Sequence, residues 1–214
     1  ANSDCFPVNC TQYIDLTPEK RRHIFGRSST NLNSLYVLSM GLSLLDDHAI
    51  DVDELLSAVD ISYTDALSIE TTAQELTNIA NKYLSSNEFS ELVSSHHSFD
   101  PDKDDSKESW LKTELLSIAN DPKSILLINI DYNEVLGYSA IGNKNSHYRE
   151  TAPLEEFWAV CIDYIYEQDV VILADMSPAS SQVWRAPRAK VFRGLRENET
   201  PSALSLKKID PPEN

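Results

Sequence analysis

The sequence predicts an α+β fold, because its first half shows helical periodicity and its second half contains short apolar runs typical of strands. Helices that precede the strands, rather than alternating with them, favour this class over α/β. A chain of 214 residues is also long enough to bury a sizeable core. We therefore expect an irregular arm at residues 1–30, followed by one domain at residues 31–210.

Five segments that precede the predicted strands have the spacing of helices. The first runs from Asn31 to about Leu45 and is apolar on most sides, so we expect it to be largely buried. Residues 68–84 are amphipathic, with their apolar side chains on one face. The other predicted helices are shorter and lie at residues 51–59, 88–95 and 110–119.

Residues 96–109 are polar, acidic and aperiodic, and are expected to form a surface loop. Three aspartates alternate there as the first ligands of a calcium loop do: Asp100, Asp102 and Asp104. The calcium pattern then fails, because Asp105 stands where the sharp turn requires Gly and Leu111 where a Glu should complete the shell. His96 and His97 are adjacent and so are poorly placed to bind one ion. The sequence predicts no metal site, with a metal-dependent interaction module as a distant alternative.

Three strands are predicted at residues 124–132, 157–166 and 169–176. The connection at Glu167–Asp169 is tight, so the last two strands are expected to form a hairpin. A long loop joins the first strand to the second, and long loops often border a site. Further along, residues 185–197 predict a short basic helix and residues 202–209 a final edge strand.

The charge of the chain limits the partners that it is expected to bind. Its formal net charge of -16 repels phosphate backbones and anionic lipids, so neither nucleic acid nor a membrane surface is an expected partner. No apolar run approaches the roughly 20 residues of a membrane helix. A small-molecule ligand is expected instead, no cofactor is predicted, and the oligomeric state is left open.

Several features of the sequence are typical of a secreted glycoprotein. The chain opens "ANSDCFPVNCTQY" without Met, as a mature end does after removal of a signal peptide. Asn9 and Asn198 each begin a glycosylation sequon. Cys5 and Cys10 are close enough for a small disulfide loop, whereas Cys161 lies in an apolar strand pattern and is expected to be a buried free thiol. We expect secretion.

Four stretches resemble the phytochelatin synthase family, a branch of the papain-like enzymes. "TNLNSLYVLSMGLSLL" followed by "DVDEL" resembles the nucleophile helix, and "SILLINIDYNEVLG" the central strand. "YIYEQDVVILADMSPASSQVW" is similar to the family's hairpin and the loop after it, and "KVFRGL" to the helix that follows. The order of elements matches over roughly residues 25–210. The resemblance implies a papain-like fold, in which a helical N-terminal half packs on an antiparallel sheet from the C-terminal half.

The resemblance also implies where the catalytic residues of the family would fall. The family enzymes are γ-glutamylcysteine dipeptidyl transferases or peptidases that act on glutathione with a Cys nucleophile, a His base and an orienting Asp. The Asp is matched by Asp175, the His falls on Phe157, and the Cys falls on Thr30, or on Ser29 with a shift of one residue. Two of the three catalytic positions are therefore changed.

Two functions follow from these replacements. The leading one is a protein that has lost the parent Cys–His–Asp chemistry and uses the old cleft to bind a small molecule or to run a new reaction. Its pocket would include Phe157, Trp158 and Trp184. The alternative is an active γ-glutamyl or peptidyl transferase or hydrolase with a Thr or Ser nucleophile. In that alternative, Thr30, His147 and Asp175 form a hydroxyl triad. Whether the chain is an enzyme stays open.

Overall fold

The computed structural model describes the greater part of the domain and one segment of the arm. The residues described are 6–8, 33–46, 49–66, 72–87, 91–131, 135, 157–174, 183–195 and 200–210. They combine helices with a single antiparallel sheet, which confirms the α+β class.

Seven strands form the sheet. They are β1 (Phe6–Val8), β2 (Leu92–Ser98), β3 (Ser124–Ile130), β4 (Phe157–Ile165), β5 (Val170–Ala174), β6 (Val183–Pro187) and β7 (Ser202–Lys208). Their order across the sheet is β1-β6-β5-β4-β3-β7-β2, and every neighbouring pair is antiparallel. The last strand of the chain therefore lies inside the sheet.

Six α-helices cover the sheet in the described part of the chain. They are α1 (Asn33–Leu45), α2 (Val52–Val59), α3 (Tyr63–Ala66), α4 (Ala73–Ser86), α5 (Lys107–Ile118) and α6 (Arg188–Gly194). Three of them begin at a side-chain cap that accepts a hydrogen bond from a free backbone N–H: Asp51 for α2, Thr72 for α4 and Ser106 for α5. These caps explain why the helices start where they do.

The helices form one layer on each face of the sheet. The layer of α1, α2 and α4 packs on the face that carries Ile125 and Leu127, whereas α5 and α6 pack on the face that carries Leu126 and Ile128. Alternate residues of a strand point to opposite faces, so a strand covered on both sides must be apolar at every position. This requirement explains why β3, "SILLINI", is apolar from Ile125 to Ile128 and again at Ile130.

Helix α1 is buried on nearly all sides, since eleven of its thirteen residues are buried. The hydroxyl groups of Ser39 and Ser43 are satisfied within the core. Ser39 Oγ and Ser43 Oγ both donate to the carbonyl oxygen of Ile50, and the Ile50 N–H donates to Ser43 Oγ at 2.8 Å. These bonds tie the segment before α2 to the middle of α1.

A β-bulge between Cys161 and Asp163 shifts the register of β4 against β5. Asp163 Oδ1 accepts hydrogen bonds from the backbone N–H of Asn120 at 3.1 Å and of Tyr164 at 2.8 Å. Because the extra residue reverses the alternation, Cys161 and Tyr164 both face the layer of α5 and α6.

An ion-pair network fastens that second layer to the β4–β5 hairpin. Arg188, the first residue of α6, contacts Asp169 through Nε at 2.9 Å and through Nη2 at 3.2 Å. Its Nη1 contacts Glu108 of α5 at 2.6 Å. Asp169 has a positive φ of 53°, a conformation that Asp tolerates better than most residues. One guanidinium thus links the hairpin, α5 and α6.

Most of the elements predicted from the sequence are confirmed, with ends displaced by a few residues. The helices predicted at 31–45, 51–59 and 110–119 are α1, α2 and α5, and the strands are β3, β4 and β5. The β4–β5 hairpin is also present, closed by a 3-10 turn at Tyr166–Gln168. The helix predicted from residue 68 begins at Ala73.

Three predictions were wrong, and each concerns a strand whose pairing partner is distant in the chain. The helix predicted at 88–95 and the first residues of the loop predicted at 96–109 form β2, which pairs with β7 along its whole length. β7 is consequently an interior strand between β3 and β2, and not an edge. The arm at residues 1–30 includes β1, which pairs with β6. In each case pairing decided the local structure.

The close approach of α1 to the sheet at Gly41 gives a prediction about stability. A Cβ at Gly41 would lie 3.1 Å from Leu206 Cδ1 and 3.2 Å from the Cδ1 atoms of Ile125 and Leu127. We expect Gly41→Val to lower the free energy of unfolding by about 1–3 kcal/mol, because it overfills this contact. Urea denaturation measures the change. Gly41→Ala is the control and should cost less, since its helix propensity exceeds that of Gly by about 1 kcal/mol. A Val variant as stable as the parent would contradict the packing described.

Candidate functional site

The start of α1 meets the start of β4 at one end of the sheet. The backbone N–H of Trp158 donates to Oδ1 of Asn33, the first residue of α1, at 2.7 Å. Ile130, the last residue of β3, pairs with Phe157, the first residue of β4. β5 ends at Ala174 on the other side of β4. The start of a buried helix therefore lies beside the ends of three neighbouring strands.

Two buried amide atoms at this place have no hydrogen-bond partner among the residues that the structure describes. They are Asn33 Nδ2, a donor on a side chain only 6% exposed, and Asn129 Oδ1, an acceptor. Asn129 pairs with Trp158 in the β3–β4 register and follows Leu127 by two positions, so it points toward the layer of α1. If the oxygen and nitrogen of the Asn33 amide were exchanged, Trp158 N–H would lose its acceptor. The hydrogen-bond network therefore identifies Nδ2 as the atom without a partner. Each unsatisfied atom costs about 1–3 kcal/mol.

These two asparagines were not among the residues singled out from the sequence. A signal was present, since Asn129 interrupts the apolar run "SILLINI" and Asn33 stands at the entry of the apolar segment that forms α1. A polar residue in a strand covered on both faces needs a partner in the protein or in a ligand. The missing partner becomes visible only in three dimensions.

The predicted pocket residues lie at or near this end of the sheet. Trp158 is 6% exposed and belongs to the core cluster on the α1 face. Phe157 is in β4, and Trp184 is in β6, where it pairs with Leu173 of β5. The structure describes the backbones of Phe157 and Trp184 but not their side chains, so the pocket stays a prediction.

The predicted catalytic residues lie outside the described residues: Thr30, His147 and Asp175. So do the predicted glycosylation and disulfide positions: Asn9, Asn198, Cys5 and Cys10. Chain connectivity still relates two of the catalytic positions to the site. Thr30 precedes the first residue of α1 by three positions, and Asp175 directly follows the last residue of β5.

Cys161 is a buried free thiol, as the sequence predicted. Burial in β4 raises the pKa of its thiol, because a thiolate there would lose its hydration. A nucleophilic cysteine needs a lowered pKa and access to solvent. Cys161 therefore cannot replace the nucleophile of the papain-like enzymes.

The acidic segment uses its carboxylates to hold its own turn. Asp100 Oδ1 accepts from the backbone N–H of Asp102 at 2.9 Å, and Asp104 Oδ2 accepts from that of Asp100 at 2.8 Å. His96 and His97 stand on opposite faces of β2 because they are consecutive strand residues. Within the described part of the chain, no group of three or more His, Cys, Asp or Glu side chains is placed to hold a metal ion.

No described helix combines the length and the apolar character that crossing a membrane requires. The chain matches no known protein family and no curated protein sequence.

The Asn33–Trp158 bond gives a second prediction about stability. Asn33→Ala removes the acceptor of the Trp158 N–H and leaves that donor buried, so unfolding should become easier by about 1–3 kcal/mol. Asn33→Asp is the matched control, because it keeps an acceptor and places a carboxylate at the positive end of α1. Urea denaturation of both variants measures the difference. Equal losses in Ala and Asp would contradict a role for this hydrogen bond.

Proposed function

We propose that this protein has a papain-like fold related to that of phytochelatin synthase and binds a small molecule in the cleft where the family carries out catalysis. The observation that carries the proposal is a pair of buried amide atoms near Trp158, Asn33 Nδ2 and Asn129 Oδ1, that have no partner in the described part of the chain. Buried polar atoms without partners are rare, and a ligand that satisfies them explains their presence.

The architecture at the start of α1 supports the papain-like part of the proposal. A Cys–His–Asp site needs the start of a buried helix, the start of one strand and the end of the next strand at one place. Here α1, β4 and β5 have that arrangement, and the resemblance assigns Thr30, Phe157 and Asp175 to the three points.

The residues at those points favour binding over the parent reaction. Phe157 has no group that accepts a proton, whereas a Thr hydroxyl needs a general base to act as a nucleophile. The neighbouring described residues are largely apolar, among them Ile130, Trp158 and Ala174. An apolar site with a few directional polar atoms is typical of small-molecule binding.

The two amide atoms define the chemistry of the ligand. Asn33 Nδ2 requires an acceptor, and Asn129 Oδ1 requires a donor. A carboxamide or peptide group offers both, and an attached apolar group would contact the apolar residues of the cleft. We therefore propose amide-bearing apolar molecules as the ligand class.

A hydroxyl triad is the second candidate function. It is favoured by the positions of Thr30, three residues before α1, and Asp175, directly after β5, because those two ends lie together. His147 would supply the base. Thr30→Ala and His147→Ala should then each abolish turnover of γ-glutamyl peptides. If the protein only binds its ligand, the parent protein should show no turnover.

The proposal includes an extracellular setting with glycans at Asn9 and Asn198 and a disulfide between Cys5 and Cys10. It is supported by the two sequons and by the protected state of Cys161, the remaining cysteine of the chain. Intact mass after expression through a eukaryotic secretory pathway tests it, since enzymatic removal of N-glycans and reduction must each change the mass.

Asn129→Leu tests the binding function. The substitution removes the unsatisfied acceptor at similar volume, so the free protein should gain about 1 kcal/mol of stability. For a protein of this size, that gain corresponds to a rise of roughly 2–4 °C in Tm. The same variant should lose the rise in Tm that benzamide produces in the parent protein, because bound ligand stabilises only the native state.

Methyl benzoate is the matched control ligand, since it offers an acceptor and no N–H donor. It should raise the Tm of the parent protein less than benzamide does. Glutathione, in the same assay, tests whether the pocket of the family persists. A parent protein that no amide stabilises, or an Asn129→Leu variant that is destabilised and still responds to benzamide, would overturn the proposal.

A further inference from the structure

A second group of polar side chains lies on β2 and α5, away from the cleft at the start of α1. Nε2 of His97 is 3.0 Å from Oγ of Ser95, and Nδ1 of the same ring is 2.7 Å from Oε2 of Glu114. Ser95 and His97 are two positions apart on β2, so they share one face of the sheet. Ser94, the residue before Ser95, faces the other layer, where its hydroxyl donates to Asn81 Oδ1 at 2.6 Å.

The hydrogen bonds specify the tautomer of His97. A carboxylate only accepts hydrogen bonds, so Nδ1 carries the ring proton and donates to Glu114, and Nε2 is left to accept a hydrogen bond from the Ser95 hydroxyl. This is the order of a nucleophile, a base and an orienting carboxylate in serine hydrolases. The bond to Glu114 also raises the pKa of His97. His96 is the other titratable neighbour on β2, and the β7 residues opposite the pair, Ala203 and Ser205, are uncharged.

Catalysis requires a shielded carboxylate and an accessible nucleophile and base, and the exposure of the three side chains follows that order. The Glu114 side chain is 14% exposed and that of His97 is 37% exposed, while Ser95 is partly exposed. The carboxylate is therefore shielded, which strengthens its hold on the ring, and the nucleophile and base are reached from solvent.

The backbone beside the pair offers further donors. β2 is an edge of the sheet as far as the chain is described, and it pairs only with β7. The bonds Phe99 N–H to Pro201 O and Ile209 N–H to Glu91 O fix the alternation of the ladder. In that alternation Ser95 and His97 bond to β7, and the N–H of His96 points to the open edge. An extended substrate can pair with this edge and direct a carbonyl oxygen to that N–H.

We propose that Ser95, His97 and Glu114 form a hydrolase site for carboxylic esters whose acyl chain lies along the open edge of β2. Ser95 Oγ attacks the ester carbonyl carbon, and its proton passes to His97 Nε2. The carbon–oxygen bond to the alcohol then breaks, and the alcohol leaves with that proton, so that an acyl ester remains on Ser95. Water attacks this ester, gives its proton through His97 back to Ser95 Oγ, and releases the acid. Glu114 is a positioning residue.

A fluorophosphonate probe tests the nucleophile, because it labels serines that a neighbouring base activates and releases fluoride. Peptide mass mapping of the full chain should place the adduct on Ser95, and Ser95→Ala should remove it. His97→Ala and His97→Gln should each slow labelling at least about 100-fold, the usual contribution of a general base. Ser98→Ala, an exposed serine of the same strand, is the matched control and should label at the parent rate.

A pH profile of labelling tests Glu114. Only the neutral imidazole acts as a base, so the rate should rise with pH through the pKa of His97, which Glu114 raises. Glu114→Gln should lower the maximal rate and move the midpoint of the profile to lower pH. A purely structural role would lower the rate and leave the midpoint in place. Absence of an adduct on Ser95, labelling that is indifferent to His97, or an unmoved midpoint in Glu114→Gln would each overturn the proposal. Circular dichroism confirms that each variant is folded.

Discussion

Helix α1 has almost no solvent-facing surface, and its burial is the constraint on which the rest of the structure depends. Each apolar side chain that it buries contributes about 1.5–3 kcal/mol, but every polar group on it must find a partner inside the protein. The backbone of Ile50 satisfies Ser39 and Ser43, and the Trp158 N–H satisfies the oxygen of the Asn33 amide. Those partners fix the axial position of α1 against β4. The location of the proposed cleft follows from that position.

The elements that the sequence predicted well are those specified by local pattern. Helical spacing predicts α1, α2 and α5, and continuous apolar runs predict β3 and β5, because both signals lie within the element itself. β2 has no such signal. Its segment "LVSSHHS" is mostly polar, and it becomes a strand because β7 offers a complete row of backbone partners more than a hundred residues later. Because the sequence does not predict β2, its neighbour β7 is wrongly predicted to be an edge strand.

The same distinction explains what could be predicted of the two sites. The resemblance to phytochelatin synthase predicts a site at the start of α1, but the unsatisfied amide atoms of Asn33 and Asn129 depend on two segments that meet only in the folded protein. Ser95 and His97 are hidden for another reason. Two positions apart on a helix they would face away from each other, and only the strand geometry of β2 places them side by side. Thr30, His147 and Asp175 lie outside the described residues, so their roles stay predictions.

The burial of Cys161 has a consequence for how the chain reaches its native state. A thiol exchanges with a disulfide only while another sulfur atom can reach it. Once β4 lies between β3 and β5, the Cys161 thiol is buried and exchange stops. In an oxidising compartment, the nascent chain therefore has two competing processes: closure of a sheet with distant pairings, which is slow, and thiol exchange with Cys5 or Cys10. The speed of sheet closure, and not the stability of the finished fold, would determine how much of the protein escapes mispairing.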